Sequence, residues 1–160
     1  MVGLLPFQGT ILKTPGILFL PTEQDFPHGQ TVYEYQRLWR TFEEVILNDS
    51  PLTSLNQEKI FLPKDVFTKR IDRLSSGMQQ RVRLSRLGDT RAVLWILDEP
   101  WQHLDREAAG VLDNCIMAHL KRGGAVIFTS HDQRVFSFET ASVDLSALIP
   151  TALAEDAWPF

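Results

Sequence analysis

The sequence predicts an α/β chain in which helices lie on both faces of a parallel sheet. Two observations carry this expectation. The apolar runs Val93 to Leu97 and Ala125 to Phe128 are continuous and of strand length, and strands covered on both faces need no polar alternation. A helix-length segment separates them, and strand, helix and strand with short connections close into a right-handed parallel crossover.

Taken in order, Ile17-Leu18-Phe19-Leu20 reads as a short buried strand stopped by Pro21. Thr31 to Leu47 predicts a helix. Thr31 can cap it, Glu34 follows three residues later, and Tyr35, Leu38, Phe42, Val45 and Ile46 recur at helical spacing. Asn48-Asp49-Ser50-Pro51 breaks it. Leu52 to Arg73 is polar with Pro63 in its middle, which predicts short helices and loops. A helix is expected from Met78 to Leu87, just after Gly77, and another from Leu104, with Ala108, Val111, Leu112, Cys115, Ile116 and Leu120 on one face. Arg122-Gly123-Gly124 ends that helix. A further helix is expected from Gln133 to about Thr140 and a final strand from Val143 to Leu148, before a loosely held tail from Pro150 to Phe160.

The 160 residues suffice for one domain with a real core. Hydrophobic residues at 44% and charged residues at 22% are ordinary globular proportions. A net charge of −4 gives no electrostatic reason to expect nucleic acid as a partner. Cys115 is the single cysteine, so no internal disulfide can form and a reducing compartment fits. No apolar run approaches the roughly 20 residues that span a bilayer, so membrane association is expected through a partner.

Several residues have chemistry that their positions would serve. Asp98 and Glu99 stand at the carboxyl end of an apolar strand, where α/β sheets place ligands. Phosphoryl transfer to water needs a metal clamp and a group that orients the attacking water; Asp98 suits the first role and Glu99 the second. Alone, such a pair is more often a cap of the next helix. Ser75, Ser76 and Gly77 stand at a helix start, where unpaired N–H groups and the dipole favour an anion, although a serine there can simply be an N-cap. His131 follows the strand Ala125 to Phe128, whereas His28, His103 and His119 have no such context and read as surface residues.

Leu74-Ser75-Ser76-Gly77-Met78-Gln79-Gln80-Arg81, then Leu94 to Pro100, then His103-Leu104-Asp105, then Thr129-Ser130-His131-Asp132 resemble, in this order, the signature motif, Walker B, D-loop and switch histidine of an ATP-binding cassette (ABC) ATPase. The resemblance implies a P-loop NTPase fold of the ABC type, with a helical subdomain carrying the signature and with ATP and Mg²⁺ as ligands. It implies that Asp98 holds magnesium, that Glu99 orients water, and that His131 contacts the γ-phosphate. Ser75, Ser76, Gly77 and Gln79 would close over ATP held by a second ATPase subunit, with the D-loop residue Asp105 near that subunit's phosphates; Asp105 can equally cap the following helix. For the Q-loop glutamine, which would link magnesium to the membrane partner, Gln24 is the candidate two residues after Thr22; the alternative is that the position is lost.

The resemblance is not complete. A P-loop needs Gly-x-x-x-x-Gly-Lys-Ser/Thr, and the nearest stretch, Gly9 to Thr14, has Leu12 at the required glycine and Phe7 at the first. Gly3-Leu4-Leu5-Pro6 with Gly9-Thr10-Ile11 resembles the stretch that follows the P-loop helix, so the sequence is expected to start downstream of Walker A. Neighbouring strands would then leave apolar faces and edges exposed, making the chain marginally stable or completed by another polypeptide. The division expected is 1–30, a core remnant with the Q-loop-like strand; 31–90, the helical subdomain; 91–149, the α/β core; and 150–160, the tail.

Arg86-Leu87, Arg91 to Pro100, Ala118-His119-Leu120 and Gly123-Gly124 resemble the ATPase subunit of the haem exporter of cytochrome c maturation. That implies a peripheral subunit on the cytoplasmic face of the inner membrane, docked on a transmembrane transporter subunit. Met78, where glutamine is usual, and Trp101-Gln102, where small residues are usual, depart from the pattern. Alternatives are a non-catalytic half-cassette or scaffold module completing a partner's ATP site, and a soluble non-transport cassette.

Overall fold

The computed structural model describes residues 16–22, 26–47, 61–88, 90–131 and 135–144. Strands β1 (Ile17–Leu20), β2 (Leu94–Leu97) and β3 (Ala125–Phe128) form a parallel sheet in the order β1-β2-β3. Helix α1 (Val32–Leu47) and helix α2 (Ser76–Leu84) lie between the first two strands, and α3 (Arg106–Lys121) between the last two. The register aligns Leu18, Trp95 and Val126, then Phe19, Ile96 and Ile127, then Leu20, Leu97 and Phe128. All three strands therefore end side by side.

Side chains alternate across a strand, so Leu18, Leu20, Trp95 and Leu97 share one face. They are all buried, in one core with Val32, Tyr35, Val82, Leu84, Leu112 and Ile116 from the three helices. The opposite face is open. Phe19 is 44% and Ile127 57% exposed, with Ile96 between them half-buried. The continuous apolar runs predicted strands covered on both faces, but the described residues leave this face uncovered. An apolar patch of this kind favours association over solvation.

Local chemistry sets the helix starts. Thr31 and Glu34 form a capping box: Glu34 N–H donates to Thr31 Oγ1 at 3.3 Å, and Thr31 N–H to Glu34 Oε2 at 2.8 Å. Asp105 caps α3, accepting from Ala108 N–H at 2.8 Å. Helix α2 stops three residues short of Leu87 and tightens into a 3₁₀ turn over Ser85–Gly88. There Ser85 Oγ donates to Val82 O at 2.7 Å and accepts from Gln36 Nε2 at 3.1 Å, so a buried hydroxyl competes with the regular ladder. Between α1 and α2 the described chain is two short 3₁₀ turns, Lys64–Val66 after Pro63 and Ile71–Arg73, in line with the sequence; 48–60 lies outside the described residues.

Three further expectations need correction. Residues 135–140 are not helical; Phe136 and Phe138, two apart, both pack on Phe128, with centroids 5.0 and 6.3 Å away. The backbone bends at 137 and 138, which lets two rings two residues apart reach one partner without a helix. Val143 and Asp144 form no strand, and 145–160, with the tail, lies outside the described residues. His119 is not a surface residue: it is 6% exposed. Its ring stacks on Trp95 at 3.8 Å and 9°, with Nε2 3.0 Å from Val93 O. Gly124 leaves the space, since a Cβ there would overlap the imidazole.

Burial holds the His119 imidazole below its ordinary pKa, against the pull of the Val93 carbonyl. The neutral ring is thus favoured by folding. As pH falls below the unfolded histidine value of about 6.5, the unfolded chain takes a proton before the folded one does, and stability drops until the lower folded value is passed. Urea unfolding between pH 7.5 and 5.5 should show this loss, and His119→Gln should flatten it.

Candidate functional site

The aligned strand ends build the site. Asp98 N–H donates to Leu20 O at 2.9 Å and Thr129 N–H to Leu97 O at 3.0 Å, so the first residues beyond β1, β2 and β3 meet along one edge. Asp98 sits in the middle. Its Oδ1 accepts from the Thr129 hydroxyl at 2.6 Å and its Oδ2 from Thr22 N–H at 3.3 Å. The Thr129 hydroxyl, and after it Thr22, hold this carboxyl below the usual aspartate range. Asp98 is therefore an anion at neutral pH.

Glu99 follows with φ at +46°, a left-handed backbone that costs a non-glycine residue on the order of 1–3 kcal/mol. Its N–H donates to Thr129 Oγ1 at 3.0 Å. Glu99 Oε1 is buried without a hydrogen bond. His131 Nε2 lies 3.4 Å from it, near enough for ionic attraction but not aligned as a donor, and its side chain is 96% exposed where that of Glu99 is 18% exposed. Asp98 and Glu99, expected from one motif, and His131, expected from another, thus converge. Gln24 lies outside the described residues.

The donor set fits a hard cation. Two carboxylates stand at the edge, one ionised and one with an unsatisfied buried oxygen. Among the described residues no three His, Cys, Asp or Glu side chains gather as a metal cage. A magnesium ion here would draw its remaining ligands from water and phosphate oxygens, as this ion commonly does.

The second cluster begins at α2. Ser75 is its N-cap, with Oγ accepting from Met78 N–H at 3.3 Å; Ser75 and Ser76 are exposed. Gly77 is required by close approach, because a Cβ there would lie 2.7 Å from His103 O. His103 itself is left-handed at φ +63°. Gln79 Nε2 donates to Ile71 O at 3.1 Å and Leu74 O at 3.3 Å, so its amide nitrogen braces the loop before the helix. Asp105, besides capping α3, accepts from Arg81 at 2.6 Å.

Sequence reasoning did not single out the struts between these clusters. Gln80 Nε2 donates to Pro100 O at 3.1 Å, while Arg83 donates to Gln80 Oε1 at 2.9 Å and to Thr22 O at 3.1 Å. Gln80 is buried. Spacing of i, i+3 on α2 could have paired Gln80 with Arg83, but not with β1 and β2. Trp101 also turned inward: 7% exposed, it donates from Nε1 to Asp113 Oδ1 at 2.9 Å and packs edge-on against Phe128.

The ABC transporter family model matches residues 15–102, more than half of the chain. The chain belongs to the ABC transporter family. The cytochrome c biogenesis ATP-binding export protein CcmA of Idiomarina loihiensis is 45% identical over 82 residues, 51% of this cassette chain and 34% of that protein. CcmA of Vibrio parahaemolyticus is 32% identical over 116 residues, 72% of this chain and 55% of its own length. The cassette chain thus spans about a third to a half of these relatives. Among solved structures, an ATP-binding cassette dimer in a post-hydrolysis state with ADP and phosphate superposes with a TM-score of 0.61 at 20% identity, over 73% of this chain and 53% of that one. An archaeal ribosome recycling factor bound to a stalk protein gives 0.57 at 22%, over 78% and 24%. Transport and ribosomal cassettes share this fold, so the fold alone does not choose between them.

Gly77→Ala should force the start of α2 off the His103 carbonyl and destabilise the cassette by about 1–3 kcal/mol, the usual range for overpacking. A lowered urea midpoint at constant slope checks this, with Gly110→Ala, which meets nothing within 4 Å, as the control.

Proposed function

We propose that this chain is the ATP-hydrolysing subunit of an ABC exporter serving cytochrome c biogenesis, carrying haem as the exported substrate. The observation that supports it most is the meeting of Asp98, Glu99 and His131 at one sheet edge, together with CcmA relatives from two bacteria. Bound magnesium would neutralise charge on the phosphates of ATP. Asp98, kept anionic, is the group that would hold it, and Gln24 is the further candidate. Glu99 Oε1, which accepts no hydrogen bond, is the atom that would accept from an attacking water, and His131 is exposed to reach a γ-phosphate.

The signature residues Ser75, Ser76, Gly77 and Gln79, with Asp105 beside them, would face the nucleotide of a second ATPase subunit. In this reading the chain divides into 1–30, 31–90, 91–149 and 150–160, with α1 and α2 in the second part and β2, α3 and β3 in the third. No helix among the described residues is long and apolar enough to cross a membrane. In this reading, by likeness to the export relatives, a transmembrane subunit would hold the chain at the cytoplasmic face of the inner membrane.

The 160 residues contain no Gly-x-x-x-x-Gly-Lys-Ser/Thr. A second reading is that the chain is a non-catalytic half-cassette whose signature side completes a partner's ATP site. The two readings part experimentally. The 160-residue chain alone should not hydrolyse ATP above background. Complemented with a segment carrying Walker A, it should do so under the first reading, and Glu99→Gln should cut turnover by about 100-fold or more while ATP stays bound. Unchanged turnover in the variant removes Glu99 from the chemistry, and no turnover in the complemented wild type leaves the half-cassette.

A further inference from the structure

The carboxylate pair is held by a residue from outside its own strand. Thr129 Oγ1 donates to Asp98 Oδ1 at 2.6 Å and accepts from Glu99 N–H at 3.0 Å. Neither direction can reverse, because an ionised carboxylate has no proton to give and an amide N–H does not accept. The hydroxyl proton is therefore fixed on Asp98 and a hydroxyl lone pair on Glu99. Thr129 is itself anchored by its N–H to Leu97 O at 3.0 Å. On the other side, Thr22 N–H holds Oδ2 of Asp98 at 3.3 Å. The Glu99 amide that Thr129 receives belongs to the left-handed residue, φ +46°, and such a conformation persists only where the surroundings hold it.

We propose that Thr129 is a positioning residue, whose hydroxyl locks the Asp98 carboxylate and the Glu99 backbone into one arrangement and so fixes the metal-facing group relative to the water-facing one. This rests on the roles proposed above for Asp98 and Glu99. β3 then does more than complete the sheet. Through a single oxygen it sets the conformation of the turn that leaves β2.

Backbone amide exchange followed by NMR on the full 160-residue chain tests this without nucleotide. In the wild type the Glu99 amide should be protected. Thr129→Val keeps the shape and removes the hydroxyl; it should speed Glu99 exchange about tenfold, the loss of one ordinary hydrogen bond, and move the Glu99 Cα shift away from its left-handed value. Sheet amides such as Ile96 and Leu97 should change by less than about twofold, and Thr129→Ser should restore the wild-type pattern. An unprotected Glu99 amide in the wild type, equal loss in Thr129→Ser, or a uniform rise across the sheet would each overturn the proposal. If Thr129→Val fails to fold, the wild type and Thr129→Ser still decide. ATP hydrolysis by a complemented complex tests the roles of Asp98 and Glu99 separately, so either idea can fail alone.

Discussion

The candidate site rests on three parallel strands that stop in register. Leu20, Leu97 and Phe128 lie side by side, and the next residues are bonded across: Asp98 N–H to Leu20 O, Thr129 N–H to Leu97 O. Pairing slipped by one residue would turn Trp95 and Leu97 out of the core. It would also carry Asp98 away from both Thr22 and Thr129. Hydrophobic burial thereby sets the chemistry's geometry, since the side chains that bury best in this register are those that align the carboxylate.

A second consequence is mechanical. Helix α2 is bonded to the outlets of β1 and β2 through Arg83 and Gln80, and its first turn rests on the His103 carbonyl at Gly77. Arg81 reaches the Asp105 cap of α3. The start of α2, the turn after β2 and the start of α3 are thus one packed unit. Displacing α2 from the turn after β2 would break the buried bond from Gln80 to Pro100, which is costly because the freed groups would stay away from water; the Arg81–Asp105 pair is exposed and holds α3 less firmly.

What was legible in the sequence was local or ordered along the chain. β1 and β3 match their apolar runs residue for residue, and Thr31 with Glu34 marked the start of α1 through neighbouring atoms alone. The motif order pointed to Asp98, Glu99 and His131, which the fold brings to one sheet edge. What was not legible depended on partners far away in the chain. His119 looked polar and external, yet it continues the Ala108-Leu112-Cys115 stripe and finds Trp95 on β2 and Val93 just before it. Trp101 is satisfied by Asp113 on α3. Phe136 and Phe138 follow Phe128 into an aromatic cluster instead of the helix their segment suggested. Thr129 was visible as part of a motif, but its bonds to Asp98 and Glu99 cross about thirty residues of sequence.

The family's fold and the open Phe19–Ile96–Ile127 face belong to the same account, in which one face of the sheet is packed by this chain and the other is left apolar. The most direct test is of the register itself. Cross-strand Hα–HN contacts measured by NMR should join Leu20 to Asp98 and Leu97 to Thr129. Contacts displaced by one residue, such as Phe19 to Asp98, would contradict the account and remove the common edge on which the site is built.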